Sequence, residues 1–211
     1  MIVAASAEQN PAYRPIDEPK PGFFSMILEG LITTTSVSGG AHLAPMGPCI
    51  QGDFQTLLLR PYKSSTTYKN LLNNNCGVFH ITDDARLIAY AAVGRVPAMP
   101  KMLPANVVQG FTMPEACRAY EFIILDVDDS QERVQMTAEV VAKHTFRDFL
   151  GFHRAKHAVL EAAILMTRLH ILPRHEVEAE MRKLRIIVDK TAGPEEQEAM
   201  GFLEEYLYSA Q

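Results

Sequence analysis

The stretch LLLRPYKSSTTYKN, residues 57–70, decides how the rest of this chain reads. An apolar, strand-like run ends at Arg60-Pro61. Four hydroxyl residues follow at once (Ser64, Ser65, Thr66 and Thr67), and a helix-like segment begins at Tyr68. The first turn of a helix leaves backbone N–H groups unpaired and carries a partial positive charge. A phosphate placed there would gain those donors, the hydroxyls and the Arg60 guanidinium together. The same residues also suit a plain helix N-cap after a β-turn, which Ser and Thr commonly supply. Both readings stand on this stretch alone, and its neighbours have to separate them.

Working upstream, residues 25–37 are rich in Ile, Leu and Thr and predict a strand. Ser38-Gly39-Gly40 is a hairpin turn signal. Residues 41–50 form the returning strand, but they contain Pro45 and Pro48. Proline cannot donate to a ladder, so a bulge or an edge with exposed backbone is expected here. Gly47, between them, would let a ligand approach the backbone closely. Downstream, a short helix runs to about residue 73 and residues 77–82 read as a buried strand. Asp83-Asp84 then caps a helix over 85–92. Residues 120–127 and 134–142 predict two more strands around the polar turn 128–132, making about six strands in all.

Two segments fall outside this pattern. Residues 94–114 hold four prolines and three methionines, and a connection of that length is expected to be a lid, a binding loop or an interface segment. From Arg154 the periodicity turns helical, with Val159, Ala162, Ala163, Met166 and Leu169 on one side. Pro173 breaks the pattern, a second helix is expected over 176–188, and Gly193-Pro194-Glu195-Glu196 starts a third. The division expected is an extended, proline-rich arm at 1–22, a β-rich domain at 23–150 and a helical subdomain at 151–211 packed on it.

Composition narrows the function classes. The chain has 211 residues, 47% apolar and 21% charged, with a net charge of −5 and no basic run of five or more. That argues against a nucleic-acid partner. No apolar run reaches membrane-spanning length, and the N-terminus lacks a basic n-region, so no membrane association is expected. Cys49, Cys76 and Cys117 are widely spaced and form no CxxC pair, which fits a cytoplasmic location.

Sites for chemistry are sparse. There is no G-x-G-x-x-G, no Walker loop and no G-x-S-x-G elbow. His153 and His157 stand at helical i, i+4 spacing, but HRAKH carries no carboxylate and places two cations between the imidazoles, so no metal is expected. Arg154 and Lys156 lie in a first helical turn, where the dipole disfavours cations. Binding an anion would explain them, and so would a solvated helix start. His80, in an apolar strand, reads as a hydrogen-bonded core or rim residue.

In combination these pieces say more. The order GLITTTS (30–36), APMG (44–47), LLLRPYKSSTTYKNL (57–71) and VFHITDD (78–84), followed by GFHRAKHAVLEAAI (151–164), resembles the FMN-binding split barrels of the flavin-reductase type. It is most similar to the branch called domain-of-unknown-function family 447. The resemblance implies an α+β, mainly β fold: a six-stranded split β-barrel with a C-terminal helical region. It implies FMN as cofactor, its phosphate at Arg60, Ser65, Thr66 and Thr67. The ring would lie along Pro45, Met46 and Gly47, and Thr34 and Thr35 would approach the ribityl or phosphate end. It further implies a homodimer with FMN near the interface, and NAD(P)H or a pterin-type molecule as a small-molecule partner. Function then reads as a flavin-dependent oxidoreductase or, alternatively, as a non-catalytic flavin protein for storage, transfer or sensing. A missing acid–base dyad is expected in that setting, because the flavin carries the hydride chemistry.

Overall fold

Every apolar run flanking the quoted stretch becomes a strand. The structure, a computed structural model, describes residues 26–51 and 54–209, so the arm expected at 1–22 lies outside it. In chain order the elements are β1 (Met26–Ile27), β2 (Gly30–Thr35), β3 (Ala41–Met46), β4 (Cys49–Gln51), β5 (Thr56–Leu59), α1 (Thr66–Asn74), β6 (Cys76–Ile81) and α2 (Ala85–Ala92). There follow β7 (Leu103–Pro104), β8 (Phe111–Thr112), β9 (Arg118–Asp128), β10 (Gln135–Thr145), α3 (Arg154–Met166), α4 (Arg174–Thr191) and α5 (Pro194–Ser209).

Among the described residues eight strands form one antiparallel sheet in the order β1-β4-β5-β10-β9-β6-β2-β3, and β7 and β8 pair separately. The count of six is corrected to eight, and the reason is local. Residues 25–37 bend at Leu28-Glu29 and so divide into β1 and β2. Residues 41–50 bend at Gly47-Pro48, dividing into β3 and β4. The bends face each other, with the Leu28 N–H donating to the Pro48 carbonyl at 3.2 Å. Thus β1 and β4 lie at one end of the sheet order, while their direct continuations β2 and β3 lie at the other. A sheet whose two ends share the same bent hairpin has to curl, and the result is a half-barrel. Two register shifts in the β9–β10 pair, at Thr137/Ala138 and Val140/Ala142, add to the curl.

The β2–β3 hairpin turns where expected. Gly39 has φ +85°, and the Ser36 N–H reaches the Gly40 carbonyl at 2.8 Å. Among the described residues β3 is an edge strand, paired with β2 alone, as its prolines require.

Strand alternation sorts the side chains into layers. Ile32, Phe79, Tyr120, Phe122, Leu57, Leu59 and Met136 fill the inside of the curl together with Tyr68 and Leu71 of α1. Each large apolar side chain buried this way contributes roughly 1.5–3 kcal/mol. On the outer face, Leu31 and Leu43 meet Ile88 and Ala91 of α2, Met113 of the 94–114 segment and Ala116 just after it. A third core joins α2 to the three C-terminal helices. Its centre is the buried small-residue face of α3, Ala155, Ala158, Ala162 and Ala163, which lets the neighbouring helices come close.

The 94–114 segment is not a free flap. It is sewn to the outer face of β2, β6 and β9. Thr33 Oγ1 donates to the Phe111 carbonyl at 2.6 Å, and Thr35 Oγ1 donates to the Gln109 carbonyl at 3.2 Å. The Met113 N–H donates to His80 Nε2 at 3.1 Å. Glu121, fully buried on β9, accepts the N–H groups of Asn106, Val107 and Val108 at 2.8, 2.7 and 2.9 Å. A loop whose backbone donors end on a buried carboxylate is held as firmly as a strand.

Candidate functional site

The strand end of β5, the start of α1 and the bend after β3 compose the candidate site. Ser65 is the N-cap of α1: its Oγ accepts the Tyr68 N–H at 3.1 Å and donates its proton to the Tyr62 carbonyl at 2.8 Å. The helix-cap reading therefore holds for Ser65, whose proton is already spent. Thr66 is exposed in the first turn and Thr67 is buried, and their N–H groups precede the first intrahelical bond.

Arg60, half-buried at the end of β5, differs from its neighbours. Its Nε is buried and has no hydrogen-bond partner among the described residues. Its carbonyl accepts from Arg133 Nε at 3.2 Å, and the Arg133 guanidinium lies 5.7 Å from the Tyr62 ring centre. The loop joining β5 to α1 is pinned from the same side, the Lys63 N–H donating to the Glu132 carbonyl at 3.0 Å. An unpaired guanidinium N–H on the strand that leads into a helix start is a donor that an oxyanion would satisfy.

The other expected residues are placed as follows. Pro45, Met46 and Gly47 are half-buried at the end of the edge strand β3. Met46 packs toward the inside of the curl, while Pro45 pairs in register with Leu31. Thr34 and Thr35 are both buried but point to opposite faces. Thr34 Oγ1 accepts from Asn70 Nδ2 at 3.0 Å on the α1 side, whereas Thr35 donates to Gln109 on the other. One of these side chains, not both, is available to any single ligand.

Four residues were missed in the sequence. Asn70 and Asn74, four apart on α1, grip Thr34 Oγ1 and the Thr35 carbonyl and dock the helix on β2. Their signal was a helical i, i+4 amide pair in KNLLNN. Glu121 announced itself as one acid inside an apolar run. Glu29 gave no signal: both of its carboxyl oxygens lie over Gly47, 2.8 and 3.0 Å from where a Cβ would stand. The open backbone at Gly47 is therefore partly covered by the chain's own carboxyl.

His80 is the hydrogen-bonded core histidine expected, fully buried, its Nε2 accepting from Met113. Burial pushes its pKa down to about 4, against a weaker pull from the Leu31 backbone. Nδ1 makes no bond of normal geometry, and as the ring's only N–H it carries the proton. The cations of the α3 start are settled differently from either expectation for Lys156. Its Nζ pairs with Glu196 at 2.8 Å in a largely buried contact. Arg154 is exposed. His153 is the N-cap of α3, and His157 stacks on Phe152 with ring centres 6.2 Å apart. Among the described residues no group of three or more His, Cys, Asp or Glu is placed to hold a metal ion, and no helix is long and apolar enough to cross a membrane.

An antiparallel half-barrel carrying a three-helix C-terminal half, with a donor set at a strand–helix junction, defines the class of protein. Two family models divide the chain at the same place: the protein of unknown function (DUF447) N-terminal domain matches residues 28–147, and DUF447 matches residues 153–205. The chain belongs to the DUF447 family. Among solved structures it is similar to an FMN-bound DUF447 protein from Methanosarcina mazei, with a TM-score of 0.72 at 20% identity, covering 88% of this chain and 97% of that one. Weaker likenesses include the styrene monooxygenase flavin reductase of Pseudomonas putida S12, with a TM-score of 0.47 at 14% identity, covering 59% and 84%. Another is an FMN-binding protein from Thermus thermophilus, with a TM-score of 0.48 at 13% identity, covering 63% and 81%. No curated protein matches the sequence.

Proposed function

We propose that this chain binds FMN and works as a flavin-dependent oxidoreductase. One observation carries the reading: the buried, unpartnered Nε of Arg60 beside the Ser65-capped start of α1. Leaving such a donor unsatisfied costs roughly 1–3 kcal/mol or more. The phosphate of FMN would satisfy it together with the exposed Thr66 hydroxyl and the first-turn N–H groups of Thr66 and Thr67. The FMN-bound relative from Methanosarcina mazei, alike over nearly its whole length, supports the choice of ligand. The ring would lie along Pro45, Met46 and Gly47. FMN, when bound, supplies the hydride-accepting chemistry, and the chain's own residues bind and orient it. The assembly proposed is a homodimer with FMN near its interface, its ring open to NAD(P)H or a pterin-type molecule.

Two measurements test this. FMN titration of Arg60→Ala/Thr66→Ala should show affinity weakened by about 3 kcal/mol, roughly 100-fold or more, since charged hydrogen bonds contribute about 1.5–3 kcal/mol each. Unchanged affinity removes the phosphate assignment. Anaerobic mixing of the FMN-loaded protein with NADH or NADPH should bleach the oxidised flavin band on a turnover timescale. A stable band with both donors counts against nicotinamide-driven reduction and favours a carrier or sensor.

A further inference from the structure

Glu29 sits at the bend between β1 and β2, opposite Gly47 at the bend between β3 and β4. The residue as a whole is exposed, yet its carboxyl turns back onto the chain. Both oxygens lie over Gly47, and the Ile27 side chain closes in beside them at 3.0 Å from the same point. No hydrogen bond to this carboxyl is present among the described residues. With no such donor, this carboxyl on an exposed residue is open to solvent or to a ligand. Its charged surroundings come from each element nearby: Glu161 on α3, Arg168 just after α3, and Arg133 from the β9–β10 connection. Arg133 is also the residue that binds the Arg60 carbonyl, so one electrostatic neighbourhood spans both ends of the candidate site.

We infer that Glu29 is the ring-contacting, proton-bearing residue of this site, its carboxyl donating a hydrogen bond to an acceptor atom on the flavin edge. The inference rests on the FMN reading above and on the ring lying along Pro45–Gly47. Partial burial of the carboxyl, reinforced by Glu161, raises its pKa from the ordinary carboxylate value, and Arg133 and Arg168 offset this only in part. Such a group keeps its proton nearer neutrality than a solvated glutamate does. The carbonyl oxygens, N1 and N5 of the flavin edge accept from a neutral carboxyl and are repelled by a carboxylate, whereas a contact to N3–H would favour the carboxylate and reverse the pH dependence. Binding should then hold Glu29 protonated, and deprotonation should weaken binding.

The experiment is FMN titration of the flavin-free protein, followed by fluorescence quenching from pH 5 to pH 8, for wild type and Glu29→Gln. Glutamine keeps a donor at every pH and nearly the same shape. The FMN phosphate titrates near pH 6 in both proteins, and this effect cancels in the ratio of dissociation constants. That ratio, wild type over variant, should climb about tenfold or more across the range. Parallel pH profiles overturn the role of Glu29 while leaving FMN binding intact. Wild type that fails to quench FMN at any pH overturns the FMN reading, and this inference with it. A second measurement needs no variant. A carbon-13 NMR titration of the Glu29 carboxyl should show its midpoint moving upward when FMN is added, and an unmoved midpoint overturns the contact.

Discussion

Replacing Glu121 with glutamine should loosen one loop without unfolding the barrel. The two carboxyl oxygens divide their work: Oε2 accepts the Val107 and Val108 N–H groups at 2.7 and 2.9 Å. Oε1 accepts the Asn106 N–H at 2.8 Å and meets His144 Nε2 at 2.7 Å. A glutamine can keep its oxygen at the Val107/Val108 end only by turning its NH2 toward the Asn106 N–H, donor against donor. One charged hydrogen bond is lost outright and two others lose their charge assistance. Taken at the low end, about 1.5 kcal/mol for a charged bond and near 1 for a neutral one, the lost bond and the two weakened ones sum to about 2.5 kcal/mol. The surrounding loop can open to water, so this energy should appear as local opening. Native-state hydrogen exchange is the assay, and the amides of Asn106, Val107 and Val108 should exchange roughly 30- to 150-fold faster. Amides of β6 and β9 should keep their protection. Unchanged exchange at residues 106–108, or an equal rise throughout the barrel, would refute the anchoring role of Glu121. Burial alone would raise this carboxyl's pKa, but the N–H bonds from Asn106, Val108 and Val107 and the bond to His144 more than offset it, so the pKa is lowered. The anchor is therefore complete above the ordinary carboxylate pKa and weakens as pH falls through the lowered folded value.

Two further outcomes follow from buried ionisable groups. The pKa of His80 falls to about 4 in the folded chain, so protonation favours the unfolded state. Stability should drop as pH falls from about 6.5 toward 4, by roughly 3 kcal/mol in full. His80→Gln, which can still accept the Met113 N–H but does not titrate, should lose this part of the acid sensitivity in urea melts at pH 7 and pH 5; equal slopes for both proteins contradict it. Lys156→Met should destabilise by about 3 kcal/mol, because it strands the largely buried Glu196. A double-mutant cycle with Glu196→Gln should return a coupling near 1 kcal/mol or more, and simple additivity would show that the pair does not interact.

Much of this protein was legible in its sequence wherever the deciding interactions are short-range. The turn at Gly39, the Asp84 cap of α2 with its 2.8 Å bond from the Leu87 N–H, and Pro194 opening α5 follow from local backbone rules. So does the edge position of β3, because its prolines bar it from the middle of a sheet. Bends and long-range contacts were not legible. Whether residues 25–37 and 41–50 each make one strand or two depends on the sheet curling until its ends share them, and no window along the chain records that. Residues 94–114 read as a lid, a binding loop or an interface segment because the side chains that hold them, the donors Thr33 and Thr35 and the acceptors His80 and Glu121, come from three strands.

The opening stretch shows the same division. That Arg60 precedes a hydroxyl-capped helix was determined by the sequence alone, since a cap is formed by residues three apart. That Arg60 Nε stays buried and unpaired was decided only by tertiary structure. Burial and partnership are set by what the β9–β10 connection brings up from seventy residues away. For the same reason Glu29 was invisible until the two bends met: its carboxyl comes over Gly47 only when the sheet curls, and chain order alone does not carry that information.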